Sequence, residues 1–228
     1  MPRRYRGRDL IWWLVELGLD QTPVEKRGPD KALPLITGAD GGHTIDFRSF
    51  AAQGVALLGR MRSAHGRTID FAPDLADSLA HGDAAYNAFL DKADDHVARN
   101  GLDMPEDPAA RTPPPTPPSV GQPLRRIDLD AAGVGSLIWA TGYGFDFEWI
   151  KLPVLDSHGA PIHWGGITDQ PGLYFLGLPW LSKMKSSFLA GVGEDAARIA
   201  GHIAARATAA DSSVDEWAAA GARRAIMS

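Results

Sequence analysis

Four stretches carry residue types whose spacing could do chemistry. The first is SLIWATGYGFDFEWI (136–150), an apolar run that leads into a tyrosine between two glycines. A glycine lacks a side chain, so the backbone there can turn sharply or lie against something flat. The second is GVGEDA (191–196), which matches G-x-G-x-x-A and opens a helix. Free N–H groups at a helix start can receive the polar or anionic edge of a ligand. A dinucleotide fingerprint also needs a strand directly before it and an acid about 20 residues later. Here the preceding apolar run ends near Leu176, and Asp211 and Asp215 fall in a polar tail. The motif is therefore not a free-standing fingerprint. It is either a ligand-facing helix start or a flexible turn entering a helix. The third stretch, PRRYRGR (2–8), offers Arg3, Arg4, Arg6 and Arg8 beside Tyr5. Guanidinium forks suit phosphate, and a nucleotide-phosphate site and a solvated basic end are both open readings. The fourth, LPWLSKMKSSFLAGVG (178–193), places Lys183, Lys185 and three serines before the helix. It suits an anionic cofactor or an exposed loop.

Other chemistries find little support. The chain has no cysteine, which excludes disulfides, thiolate metal sites, cysteine nucleophiles and redox dithiols. Its histidines are scattered; His158 and His163 flank a turn without a third ligand at metal spacing, and His96 and His202 lie on helices among polar residues. Ser136, Ser182, Ser186 and Ser187 lie in no G-x-S-x-G elbow. No phosphate-binding P-loop is present.

The elements that must position these residues follow from periodicity and punctuation. RDLIWWLVELG (8–18) predicts a helix capped by Asp9 and ended by Gly18. It is apolar on nearly all sides, so it predicts neighbours that cover it. Asp40-Gly41-Gly42 predicts a hairpin between 33–36 and 44–47, followed by a short helix near Phe50 and a strand over 55–58. A further strand is expected within 66–75, with a stop at Pro73. Tyr86, Phe89, Leu90, Ala93 and Val97 recur at helical spacing, which predicts an amphipathic helix over 83–100 that ends at Gly101. The proline-rich stretch 105–123 predicts a stiff, extended connector and the best boundary in the chain. Beyond it, strands are expected over 124–129, 136–140 and 173–176, a hairpin over 153–164, and an alanine-rich helix over 193–206. Residues 209–228 read as a tail, either helical or frayed.

The 228 residues suffice for one large domain or two small ones. A net charge of −5 argues against a nucleic-acid partner. No apolar run approaches the roughly 20 residues of a membrane span, and no signal peptide is visible, so a cytoplasmic location is expected.

Taken in order, IWATGYGFDFEWI, LPVLDSHGAPIHWGGITDQPGLYFLGLPWL and SSFLAGVGEDAARIAGHIAAR resemble the C-terminal part of flavin-containing-monooxygenase-like proteins. These belong to the two-dinucleotide-binding flavoproteins, which use FAD and NAD(P). RRYRGRDLIWWLVELG resembles the segment after their NADP-binding βαβ unit. The likeness runs from Arg3 to about Arg206, and the succession is more specific than any one part.

The resemblance implies an α/β, partly Rossmann-like flavoprotein fold lacking both N-terminal glycine-rich βαβ units. It implies that 1–104 is the remainder of an NAD(P)-binding domain, 105–123 a linker, and 124–208 the C-terminal part of an FAD-binding domain. Thr141, Gly142, Tyr143, Gly191, Val192 and Gly193 would lie near FAD, and Arg3 and Arg4 near the NADP phosphate. Flavin would carry the redox chemistry, with dioxygen and a small-molecule substrate as partners. Neither glycine-rich fingerprint of the family occurs here. The expectation is a C-terminal portion: a truncated frame, a decayed gene, or half of a split enzyme that pairs with a separate N-terminal chain. The alternative is a non-catalytic remnant, or an interaction module that pairs with a separate N-terminal chain; self-association through exposed apolar surface would agree with either.

Overall fold

A computed structural model describes residues 2–27 and 37–225, with backbone alone from 209 onward. The chain mixes helix and sheet and forms two compact units, Met1–Leu17 with Asp30–Thr141 and Gly18–Pro29 with Gly142–Ser228. The proline-rich stretch lies inside the first unit rather than at the division.

The first unit opens with a tight hairpin, β1 (Arg4–Tyr5) against β2 (Arg8–Asp9), which runs straight into α1 (Leu10–Glu16). Asp9 caps α1 by accepting from the Ile11 N–H, as the sequence predicts, and Gly18 is left-handed just past its end. Leu10, Trp13 and Leu14 are buried, whereas Ile11 and Val15 are exposed. The helix is therefore covered on one face only, not all round. The expected hairpin at Asp40 is replaced by a single turn of 3-10 helix at Ala39–Gly41. Its first arm, 33–36, lies outside the described residues, and Phe47 starts α2 (Phe47–Ala52) instead of ending a strand.

A three-stranded antiparallel sheet follows: β3 (Met61–His65), β4 (Thr68–Phe71) and β5 (Arg126–Asp128), in that order. Residues 55–58 form no strand; pairing begins only at Met61, where Phe71 stands opposite. The central helix α3 (Leu75–Asn100) starts a full two turns before the predicted position and ends at left-handed Gly101. Its early turns hold because Leu75 is buried with Ala51 and Val120, and Leu57 and Leu79 pack against them. Farther along, Phe89, Leu90, Ala93 and Val97 are buried, the face the spacing predicts.

The proline-rich stretch is not wholly extended. Pro108–Arg111 forms a 3-10 turn capped by the Asp107 carboxylate, and Pro118–Gly121 forms a short helix, α4. Proline fits the first helical positions, where its missing N–H costs nothing. Arg111 then bonds Asp91 and Asp94 on α3 at 2.8 and 2.5 Å. These contacts fasten the stretch to its own unit.

In the second unit, Ile150, Val154, Phe175 and Leu181 form a small core. The predicted hairpin turns at left-handed Gly159, with the Asp156 carboxylate accepting from the His158 and Ala160 N–H groups. Its pairing is one bridge, Leu155 to Pro161. The strand expected over 173–176 likewise reduces to a bridge between Ile167 and Tyr174, although Phe175 is buried. One helix, α5 (Val192–Ala225), continues through the segment expected to be a separate tail. Every strand pairing among the described residues is antiparallel. None of the described helices is long and apolar enough to cross a membrane.

Candidate functional site

The run at 136–140 is irregular, not the expected strand. Ile138 is 88% exposed, and Leu137 and Trp139 are also open to solvent. Strand bonds need a second strand, and no described segment supplies one. Thr141 stands at the bend that follows; Gly142 is left-handed with φ of 88°. A side chain at Gly142 would be strained, yet a Cβ there or at Gly144 would meet nothing within 4 Å. The glycines therefore give a turn with open space beside its backbone. Tyr143 is fully exposed and, among the described residues, has no hydrogen bond or ring partner.

Gly191, Val192 and Gly193 form the start of α5. Gly191 is required for a local reason: a Cβ there would sit 2.0 Å from the Lys185 carbonyl oxygen. Gly193, in contrast, faces open space. Around this start lies a polar network. Lys183 donates to Glu194 at 2.5 Å and to Gln21 at 3.1 Å. Lys185 is nearly buried and bonds Glu194, with Asp20 at 3.9 Å. These two lysines hold the Glu194 carboxyl down at about 2, against an ordinary value of 4.5. Both cations are thus engaged by carboxylates, which leaves no spare positive charge for a phosphate at this helix start.

Asp195 is the most buried carboxylate of the network. It is 2% exposed, and its Oδ1 accepts from Ser182 Oγ at 2.5 Å and Arg198 Nη2 at 2.8 Å. Ser186, fully buried, accepts from the N–H groups of Ser182 and Lys183. Asp195 Oδ2 is buried and has no partner among the described residues, and the same holds for Asp20 Oδ1 and Arg198 Nε. Such an atom costs about 1–3 kcal/mol unless something bonds it. The site thus fits a hydroxyl or N–H of a ligand, and it does not fit a phosphate. Beside it, burial lowers the His163 pKa, with Arg198 adding repulsion, so the ring is a neutral acceptor for the Gly166 N–H.

Arg3 and Arg4 belong to the first unit. Arg3 pairs with Asp9 at 3.0 Å, and Arg4 donates to the Gly41 and Gly42 carbonyls at 2.8 and 3.1 Å. A phosphate could use the Arg4 fork only by displacing its bonds to the 41–42 loop, whereas Arg3 Nε is buried and has no partner among the described residues. The sequence reading missed the hub beside them. Asp94 accepts from Tyr5 Oη at 2.7 Å, Arg6 Nε at 2.6 Å and Arg111 Nη2 at 2.5 Å. Burial raises the Asp94 pKa, but these three donors more than offset it and leave it below the ordinary value. No local pattern marks this cluster, because its members lie 88 and 89 residues apart on one side. Among the described residues no three His, Cys, Asp or Glu side chains gather as metal ligands.

No known protein-family profile matches the chain, and no solved structure matches it. Three curated proteins do. The chain is 36% identical over 118 residues to a Geobacillus kaustophilus protein named uncharacterized oxidoreductase CzcO-like, covering 51% of this chain and 34% of that one. It is 46% and 44% identical over 70 residues to proteins named uncharacterized oxidoreductase CzcO from Bacillus subtilis and Bacillus velezensis. Those two matches cover 30% of this chain and 20% of each relative. The chain therefore spans about a third or less of the length of the curated relatives it matches.

Proposed function

We propose that these residues form part of an FAD- and NAD(P)H-dependent oxidoreductase of the flavin monooxygenase type. The observation that carries this reading is the bare run at 137–139 leading into left-handed Gly142 and exposed Tyr143. A run so apolar, ending in an open glycine turn, is suited to a sheet neighbour and a flat cofactor that the described residues do not supply. The ordered resemblance of the motifs and the oxidoreductase names of three relatives support the same class.

On this reading Thr141, Gly142 and Tyr143 border the flavin. Gly191, Val192 and Gly193 hold the start of α5 so that Asp195 Oδ2 can accept from a cofactor hydroxyl. Residues 1–104 belong with the NAD(P) part and 124–208 with the FAD part, joined through 105–123. Arg3 and Arg4 would reach an NADP phosphate only after exchanging their present bonds. Bound flavin would supply the electron-accepting ring and react with dioxygen; these residues would position it and shield it.

A second reading is favoured by one specific observation. Leu137, Ile138, Trp139, Phe145 and Trp149 are all exposed. A non-catalytic module that pairs with a separate chain, or with itself, would cover them.

The test is a flavin titration of the purified chain, followed by desalting and a visible spectrum. It is run alone and again with the unmatched part of the Geobacillus kaustophilus relative. Retained flavin absorbance in either mixture is expected. Loss of flavin from both would sink the first reading, and a complex without flavin would support the second.

A further inference from the structure

The sheet β3–β5 carries a feature that neither flavin binding nor the Asp195 network uses. Met61 stands opposite Phe71 and Ser63 opposite Asp70, so Arg62 is an extra residue, a β-bulge. A bulge bends its strand and re-aims a side chain, and bulges recur next to binding sites. Across the sheet Asp70 stands opposite Arg126, which places Ser63, Asp70 and Arg126 in one cross-strand row on one face. Together with Arg62, Arg125 and Phe71 they line a concave site of about 600 Å³.

The charges there do not balance. Arg126 Nε donates to Asp70 at 2.6 Å, and Asp70 also accepts from Ser63 Oγ at 3.3 Å. Arg125 Nε donates to the Phe71 carbonyl at 3.1 Å and meets no carboxylate. Arg62 has no hydrogen bond or ion pair among the described residues. Three guanidiniums thus share one carboxylate, an excess of two positive charges in one hollow. The nearby Arg60 and Arg67 are paired with Asp74 and Asp130 and do not line it.

We infer that this hollow, formed where the Arg62 bulge faces Arg125 and Arg126, binds a phosphoryl dianion, either free phosphate or a phosphate monoester. A dianion matches the surplus charge, and the planar forks of Arg62 and Arg125 can each bond two of its oxygens. The site belongs to the first compact unit and does not depend on flavin.

The full chain is titrated calorimetrically at low ionic strength with inorganic phosphate and with phenyl phosphate, against sodium chloride of equal ionic strength. Saturable binding of one or both is expected, with none from chloride. Binding of inorganic phosphate means that the dianion suffices; binding of the ester alone means that its organic group contributes. Arg62→Ala and Arg125→Ala should each weaken binding about tenfold or more, because each removes a charge-assisted contact. Arg62→Lys should recover only part of the loss, since the fork is gone. Asp70→Asn should tighten binding by removing the competing carboxylate. Arg67→Ala, outside the hollow, should leave it unchanged. Thermal melts of each variant confirm folding. Phosphate affinity unchanged in a folded Arg62→Ala, Arg125→Ala double variant would overturn the proposal, as would loss of affinity equal to that of Arg67→Ala.

Discussion

Asp94 in the first compact unit and Asp195 in the second each gather hydroxyl and guanidinium donors, and the difference between them separates scaffold from site. Both oxygens of Asp94 are occupied, by Tyr5 and Arg6 on one and Arg111 on the other. That hub joins the N-terminal hairpin, α3 and the proline-rich stretch, and neither of its oxygens lacks a partner. Asp195 is more deeply buried, yet one of its oxygens has no partner. A closed hub stabilises the fold. An open one retains capacity to bond a further group, and it sits at the helix start that the sequence reads as either ligand-facing or a plain turn.

The largest effect should come from opening the closed hub. Asp94→Ala removes the shared acceptor of Tyr5, Arg6 and Arg111, although Arg111 keeps Asp91, and should cost about 2–3 kcal/mol by denaturant unfolding. A cost below about 0.5 kcal/mol would mean that the hub is ornamental. Next, Gly191→Ala should cost about 1–3 kcal/mol, because its Cβ must push against the Lys185 backbone. If it unfolds at the wild-type midpoint, the close approach there is absent in solution.

Asp195→Asn keeps an oxygen for Ser182 and Arg198 and replaces the orphaned acceptor with a donor. A cost of about 1 kcal/mol is expected, together with weaker flavin retention, which the melt alone would not reveal. A variant that melts like wild type and still retains flavin would place Asp195 with the scaffold.

Glu194 sharpens the contrast through pH. Its folded pKa of about 2 lies below its ordinary 4.5. Its stabilisation is therefore complete above about pH 4.5 and is lost as pH falls toward 2. Asp94, also lowered, acts in the same direction. Glu194→Gln should flatten the acid limb of a circular-dichroism titration over that window; an unaltered limb would show that the lysine contacts are not held. The smallest effect is expected at the exposed turn. Tyr143→Ser should change stability by less than about 0.5 kcal/mol, because the residue is fully exposed and has no hydrogen-bond or ring partner among the described residues. A larger loss would mean that the turn is covered, by another copy or otherwise.

How far the sequence carried depends on where each element's bonds lie. The cap at Asp9, the left-handed stop at Gly101, the face of α3 and the Asp156 turn were all legible, since their partners are a few residues away. The run at 136–140 was misread as a strand for the opposite reason. Its β-branched and aromatic residues describe a half-buried strand, but pattern does not supply the neighbour that makes one. The candidate residues fared similarly. Position alone identified the start of α5, yet it gave no sign that Lys183 and Lys185 are already engaged by Glu194, that Arg3 is paired with Asp9, or that Arg4 braces a loop.

The amino-acid order by itself determined the local helices and turns, the absence of thiol chemistry, and the series of motifs that resembles flavoproteins. Tertiary structure alone decided which charges cancel. Lys183 meets Gln21 across 162 residues, Asp94 meets Tyr5 across 89, and Arg62, the extra residue in β3, lines one hollow with Arg125 and Arg126. A helix bonds within itself and so is written in its own sequence. A charge is satisfied or left free only by what the rest of the chain brings to it.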